Sequence, residues 1–331
     1  MIHPIPPGTR DVLPDEMREL RRLQRALLEV FEARGYGEVA TPAIEYDEVL
    51  GRGDGRTAGG AYRFFGEGGE LLTLRSDMTV PIARLAATRL AGAAGPLRLC
   101  YMASAYRAVR PQRGQMREFI QAGVELIGAP APEGTAEVVE VLEAALDAAG
   151  LDRAVIGLGD ADLYRQLLTE LGVEGEARDS IIGRLATHDL VGLEAELSAV
   201  AGIGDEQCAT CVALTQLRGG REVLEQARGL GGAAVERATA RLQETYEELE
   251  RRGVADRVQI DLGLLRDLGY YSGAILEVYD PALGHVLGGG GRYDGLLKRF
   301  GADLPAAGFA LYLERVHVAQ MEESRRGEEG R

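Results

Sequence analysis

One segment, Asp261 to Gly295, concentrates residue types that could hold a small zwitterion. Arg266 precedes the pair Tyr270 and Tyr271, and four glycines, Gly288 to Gly291, lead into Arg292, Tyr293 and Asp294. An arginine offers a planar fork of donors to a carboxylate. Phenol hydroxyls can orient a ligand, and glycine lets backbone come close or turn sharply. A second set lies in Arg117 to Ile127, where Gln121 and Glu125 share strand parity and so face one side. A glutamate on a buried face is costly unless a cation meets it. The blander alternative is a face open to water.

Machinery for making or breaking bonds is sparse. Among 37 basic residues Lys298 is the only lysine, which removes Schiff-base chemistry and Walker-type phosphate loops. Cys208 and Cys211 form a lone C-x-x-C without two further zinc ligands at useful spacing. They read as two small apolar residues on a helix. His188, His285 and His317 are scattered and have no carboxylate–histidine motif around them. No catalytic residue, no metal site and no cofactor is expected.

The bulk properties fit a globular protein rather than a disordered one. With 331 residues, 46% of them hydrophobic, the chain can bury one large core or two smaller ones. No apolar run approaches the roughly 20 residues of a membrane span. The start, Met1-Ile2-His3-Pro4, lacks the basic and apolar regions of a secretory signal. An odd count of three cysteines fits a reducing compartment, so a cytoplasmic location is expected. The net charge of −15 gives no long-range attraction to polyanions, which argues against a nucleic-acid partner.

The elements that must position these residues follow from periodicity. Residues 5–15 are proline-rich and extended, and Asp15 can cap an amphipathic helix over 16–34. An edge strand interrupted by Pro42 is expected at 38–45, a glycine-rich loop at 47–70, and a short strand at 71–75. Ser76 or Asp77 opens a helix with Pro81 in its first turn. Segments 97–107 and 117–127 form a hairpin with a basic tip carrying Arg110 and Arg113. Thr135 caps a helix to 149, and 154–158 is a strand. Six helical segments occupy 163–171, 178–187, 190–200, 207–217, 221–229 and 236–251. Strands are expected at 258–262, 274–279, 285–287 and 306–312, with helices at 292–300 and 313–321 and a frayed charged tail over 322–331. Hairpins dominate, so the fold class is α+β with an antiparallel sheet flanked by helices. The division is a core over 1–160, a helical insertion over 161–252, the second part of the core over 253–322, and a tail over 323–331.

The motifs then carry a resemblance. G-T-R-D-V-L-P at Gly8 to Pro14, L-R-S-D-M-T at Leu74 to Thr79, Y-R-A-V-R-P-Q at Tyr106 to Gln112 and Q-A-G-V-E-L-I-G at Gln121 to Gly128 resemble the catalytic core of histidyl-tRNA synthetases. So do L-L-R-D-L-G-Y-Y-S-G at Leu264 to Gly273, G-G-R-Y-D-G-L at Gly290 to Leu296, and A-G-F-A-L-Y-L-E-R at Ala307 to Arg315. The resemblance implies a class II synthetase-like core and a histidine pocket built from Asp77, Thr79, Arg107, Gln121, Glu125, Arg266, Tyr270, Tyr271 and Tyr293.

The departures fall on the ATP and tRNA side. The chain ends at Arg331, where the synthetases continue into an anticodon-reading domain. Ala108 and Val109 follow Arg107 in place of histidine and glutamate. Gln115 stands for an arginine, Tyr312 for a glycine that gives ATP room, and Asp77 for a glutamate. Arg315 matches an ATP-contacting arginine and is read as vestigial or as a helix-surface residue. This pattern is similar to the regulatory subunits of ATP phosphoribosyltransferase, synthetase paralogues without the anticodon domain. The resemblance implies no catalysis of its own. It implies instead a short-form catalytic subunit as partner, L-histidine as feedback effector, and a homodimer within a larger hetero-oligomer. Histidine's ammonium is assigned to Glu125 with Asp77 and Gln121 close by, its carboxylate to Arg107 or Arg266, and its imidazole to Tyr271 and Tyr293. The rival readings are a histidine-activating enzyme and a truncated synthetase.

Overall fold

The computed structural model describes residues 5–53, 60–108, 116–266, 269–281 and 283–329, the last three without their side chains. The chain opens with α1 (Pro14–Ala33), then β1 (Gly37–Glu38), β2 (Ile44–Tyr46), α2 (Asp47–Gly53), β3 (Arg63–Phe65), β4 (Leu71–Leu74) and α3 (Thr79–Arg89). The hairpin β5 (Leu97–Tyr106) and β6 (Glu118–Ile127) leads to α4 (Glu133–Ala148) and β7 (Val155–Asp160). Next come α5 (Leu163–Glu170), α6 (Gly175–Ala186), α7 (Leu190–Ala199), α8 (Asp205–Gln216), β8 (Arg218–Gly219), α9 (Glu222–Leu230) and α10 (Ala233–Arg252). The last part is β9 (Val258–Asp261), β10 (Ala274–Tyr279), β11 (Val286–Arg292), β12 (Ala306–Tyr312) and α11 (Leu313–Glu329), with a 3-10 turn at Leu297–Phe300.

Nine strands form one sheet in the order β1-β5-β6-β12-β11-β10-β7-β9-β8, and β2-β4-β3 form a second. Period-two alternation gives the large sheet two different faces. Cys100, Ala122, Val124, Leu126, Leu276, Val278, Phe309 and Leu311 turn to one face and share a core with α1, α4 and α10. On α1, Leu20, Leu23, Leu27 and Phe31 recur at helical spacing and are buried, and Phe31 meets Phe309 edge-on at 5.9 Å. The opposite face carries Tyr101, Ile275 and Ile127 against Met78, Val80 and Ile82, with Tyr270, Tyr271 and Tyr293. Gln121 and Glu125 lie between these two layers of packing and are only 3% and 2% exposed, so the face is not open to water.

Several expectations are corrected. No single strand crosses Pro42: β1 pairs with β5 in the large sheet and β2 with β4 in the small one, with the proline in the link between them. The stretch read as loop over 47–70 contains α2 and β3. The large sheet is mixed, with parallel pairs β1/β5 and β7/β9, and β8 adds a short edge that periodicity did not reveal. Arg292 ends a strand instead of starting a helix, and of 292–300 only the 3-10 turn is helical. The helix after β12 runs to Glu329, helped by an Arg325–Glu322 pair at 3.2 Å one turn apart. The hairpin tip with Arg110, Arg113 and Gln115 lies outside the described residues.

Leu27 is fully buried at the centre of the α1 face. Leu27→Ala is expected to lower unfolding free energy by about 2–5 kcal/mol in a urea titration, through lost transfer energy plus a cavity.

Candidate functional site

Cross-strand register builds the site. Gln121 lies opposite Tyr312, Glu125 opposite Gly308, and Glu277 opposite Gly289, so these residues share the tyrosine-lined face. Asp77 and Thr79 come from the start of α3, where Asp77 Oδ1 accepts the Val80 amide at 3.1 Å. Arg107 follows β5, Arg266 follows β9, and Tyr270, Tyr271 and Tyr293 flank the β10/β11 pair. The cavity they enclose with Gly289, Gly308 and Tyr312 has a volume of about 20 Å³, on the scale of one water molecule.

Two glycines make this possible. A Cβ on Gly308 would sit 1.9 Å from Glu125 Oε2, and one on Gly289 would sit 1.7 Å from Arg266 Nη1. The glycine run reads locally as a turn, yet it continues β11 because its neighbours supply the ladder on both sides.

Glu125 lies behind the cavity wall. It accepts from Thr79 Oγ1 at 2.8 Å and from the Tyr293 hydroxyl. Burial, with the nearby Asp77 charge, pushes its carboxyl up to about 8 against the opposing pull of those two donors. Tyr270 packs on Tyr271 at 4.9 Å and on Tyr293 at 6.0 Å, fixing the aromatic wall.

The cations are held unequally. Arg107 donates to Ser76 O at 3.2 Å and to the Tyr312 hydroxyl at 3.3 Å, and lies 4.9 Å from the Phe119 ring centroid. Arg266 donates from Nη1 to Leu276 O at 3.3 Å and stands 5.9 Å from the Tyr271 centroid. Its Nε is buried without a hydrogen-bond partner among the described residues, and so is Gln121 Oε1. A buried unpaired donor and a buried unpaired acceptor therefore coexist in one cavity wall, each at a desolvation cost.

Tyr312 closes the remaining side. Burial would raise its phenol, but Arg107, Arg266 and Arg315 bring it down to about 8. Arg315 stacks 4.7 Å from the Tyr312 centroid and donates to Val286 O at 2.6 Å. Burial lowers its own guanidinium.

The residues expected together in a pocket are thus brought together, with Glu125 behind the wall and not in it. Arg292 and Asp294 are not part of it. Arg292 lies opposite Ala307 and bonds Asp294, Thr135 and Ala129 O on the other side of the sheet. Glu277, 3.7 Å from Arg266, was missed. The available signal was a lone acid inside the apolar run A-I-L-E-V-Y. Cys208 and Cys211 are buried on α8. Among the described residues no cluster could hold a metal ion and no helix is long and apolar enough to cross a membrane.

Comparison with known proteins places this geometry. The family model for histidyl-tRNA synthetase matches residues 8–316. A protein of Moorella thermoacetica named ATP phosphoribosyltransferase regulatory subunit is 42% identical over 96% of this chain and 82% of its own. The chain belongs to this family. A Desulforamulus reducens protein of the same name is also 42% identical, over 95% of this chain and 78% of its own. The crystal structure from Bacillus halodurans described as an ATP phosphoribosyltransferase regulatory subunit/histidyl-tRNA synthetase superposes with a TM-score of 0.86 at 33% identity, covering 97% of this chain and 84% of that one. A histidyl-tRNA synthetase from Nostoc, 23% identical, matches in fold with a TM-score of 0.79 over 98% of this chain and 76% of that one. The family is therefore one of α+β proteins with a histidyl-tRNA synthetase-like class II fold.

The buried Glu125 makes stability depend on pH. Its native carboxyl titrates near 8, against 4.5 when unperturbed, so the native state holds the proton more tightly than the unfolded chain. Stability is expected to fall as pH rises from about 4.5 through about 8. Glu125→Gln is expected to flatten that slope in urea midpoints measured across this window.

Proposed function

We propose that the chain is a non-catalytic regulatory subunit of ATP phosphoribosyltransferase. It is required with a short-form catalytic subunit for the first step of histidine biosynthesis, and it takes part in feedback inhibition by binding L-histidine in the cavity beneath Tyr312. One observation carries this reading. The cavity wall holds an unpaired donor at Arg266 Nε and an unpaired acceptor at Gln121 Oε1, which is what the two ends of an amino acid would satisfy. The carboxylate goes to Arg266, with Arg107 beside it. The ammonium goes to Gln121 Oε1 and Asp77, with Glu125 directly behind them; a cation there favours the ionised form of Glu125. Tyr271 and Tyr293 flank the imidazole.

Two features support binding over chemistry. The aromatic ring of Tyr312 is packed between Arg107 and Arg315, and it fills the place where the resemblance implies a glycine beside ATP. The cavity volume of about 20 Å³ also means that an amino acid enters only as side chains move. Partnership is supported by the small sheet, whose Ile44, Tyr46, Phe64, Phe65 and Leu71 are exposed apolar residues on neighbouring strands. We assign that surface to a homodimer within the larger assembly.

The test uses the chain reconstituted with a short-form catalytic subunit. Histidine is expected to inhibit the complex, and Arg266→Ala to raise the half-inhibitory concentration by about 10-fold to 100-fold, the worth of a hydrogen-bonded charge. Inhibition unchanged in this variant would move the effector site elsewhere. The chain alone is expected to give no histidine-dependent exchange of pyrophosphate into ATP, and robust exchange would favour a histidine-activating enzyme.

A further inference from the structure

Arg266 has a neighbour that the proposed binding reading does not use. Glu277 projects from β10 onto the face of the sheet that carries the cavity, directly opposite Gly289 on β11 and Gly157 on β7. With glycine at both positions, no side chain stands beside it on either strand. The Arg266 guanidinium occupies the space over Gly289, where a Cβ would meet Nη1 at 1.7 Å. Cation and acid thus share one trough, at the edge of the cavity that Arg266 lines.

The pair is poorly made. Arg266 Nη1 lies 3.7 Å from Glu277 Oε1, beyond hydrogen-bonding range, while Arg266 Nε has no hydrogen-bond partner among the described residues. A guanidinium built to be neutralised by this glutamate would present its fork to it, as Arg241 does to Asp160 with two bonds of 2.8 Å each. Glu277 is also within electrostatic reach of Arg218 and His188, and of Asp261. Burial raises its carboxyl, and the cations offset that only in part. Arg218 in turn holds Asp261 at 2.5 Å. Glu277 therefore has one guanidinium besides Arg266 within electrostatic reach, shared with Asp261.

We propose that Glu277 is a resident counter-ion, displaced from Arg266 when a ligand carboxylate binds, and that it thereby sets how strongly the pocket prefers an amino acid to the matching amino alcohol or amine. The inference rests on the histidine reading given above. Before binding, Glu277 neutralises Arg266 at long range and keeps the charge tolerable in a buried site. On binding, the ligand carboxylate takes the free Nε and competes with Glu277 for the same cation. Glu277 thus weakens carboxylate ligands and leaves ligands without a carboxylate nearly untouched.

Isothermal titration of the full-length chain with L-histidine, L-histidinol and histamine tests this. Glu277→Gln keeps the shape and removes the charge. It is expected to tighten L-histidine by about fivefold or more, and to change histidinol and histamine by less than about twofold, because only histidine carries the competing charge. Adding Arg266→Gln is expected to abolish the gain. Glu277→Asp, which withdraws the charge by one methylene, should shift selectivity in the same direction and serves if the glutamine variant does not fold. Weaker histidine binding in Glu277→Gln, or an equal change for all three ligands, would make Glu277 a strut for Arg266 and overturn the proposal. If wild type binds histidine but the ratio of histidine to histidinol is unmoved, this inference alone fails. If wild type binds no histidine, the histidine reading fails and takes this inference with it.

Discussion

Burying charge inside a β-sheet protein is the constraint around which this molecule is arranged. Glu125 is 2% exposed between a strand and a helix N-terminus, and desolvation alone would make an unpartnered carboxylate there untenable. Thr79 and Tyr293 each give it a hydrogen bond, from two elements far apart in sequence. To admit the carboxylate, the facing strand must be bare at Gly308; to admit Arg266, β11 must be bare at Gly289. Two of the central-strand glycines, Gly289 and Gly308, thus follow from the polar site. They weaken strand propensity locally, and the weakness is tolerated because both strands are flanked on two sides by ladder partners.

That arrangement explains which parts were legible in the chain. Gln121 and Glu125 were assigned to one face because parity depends only on spacing within one strand. The α1 stripe was legible for the same local reason. Gly288 to Gly291 was not, since a run of four glycines carries no pattern and its strand identity comes from β10 and β12. Arg292 was grouped with the pocket by proximity in sequence, but its register opposite Ala307 turns it to the other face, where Thr135 and Ala129 receive it. Glu277 was passed over because its importance is relational, arising from Arg266 eleven residues earlier and from Gly289 on the neighbouring strand. The resemblance to histidyl-tRNA synthetases supplied the set of site residues; composition and periodicity by themselves supplied only the idea of a zwitterion clamp.

Tyr312 sits where the cavity meets two further guanidiniums. The cavity groups Arg266 and Gln121 are buried and incompletely paired among the described residues. Arg107, which lines the cavity, and Arg315 are engaged with the ring, with carbonyl oxygens and, for Arg107, with Phe119. The phenol is brought down to about 8 by Arg107, Arg266 and Arg315, which marks how strongly these guanidiniums act on the ring. Cations already engaged in this way are poor candidates for clamping a triphosphate, which would have to displace the ring first. The proposed loss of chemistry thus has a steric component and an electrostatic one, and both reside in a single side chain.

On the proposed reading, the small cavity matters for regulation as much as for affinity. An effector can shift a complex only by binding its two states unequally. A pocket already shaped to hold histidine would bind it without any change to communicate. Here the cavity of about 20 Å³ would have to widen to take the amino acid, and on this reading Tyr312 is the group that gives way. Tyr312 is the last residue of β12 and leads directly into α11, whose buried Val316 and Ala319 share the core with α1. Displacing the ring therefore loads an element that packs on the far side of the sheet. By linkage, any partner that stabilises the displaced arrangement of α11 would tighten histidine binding by the same factor.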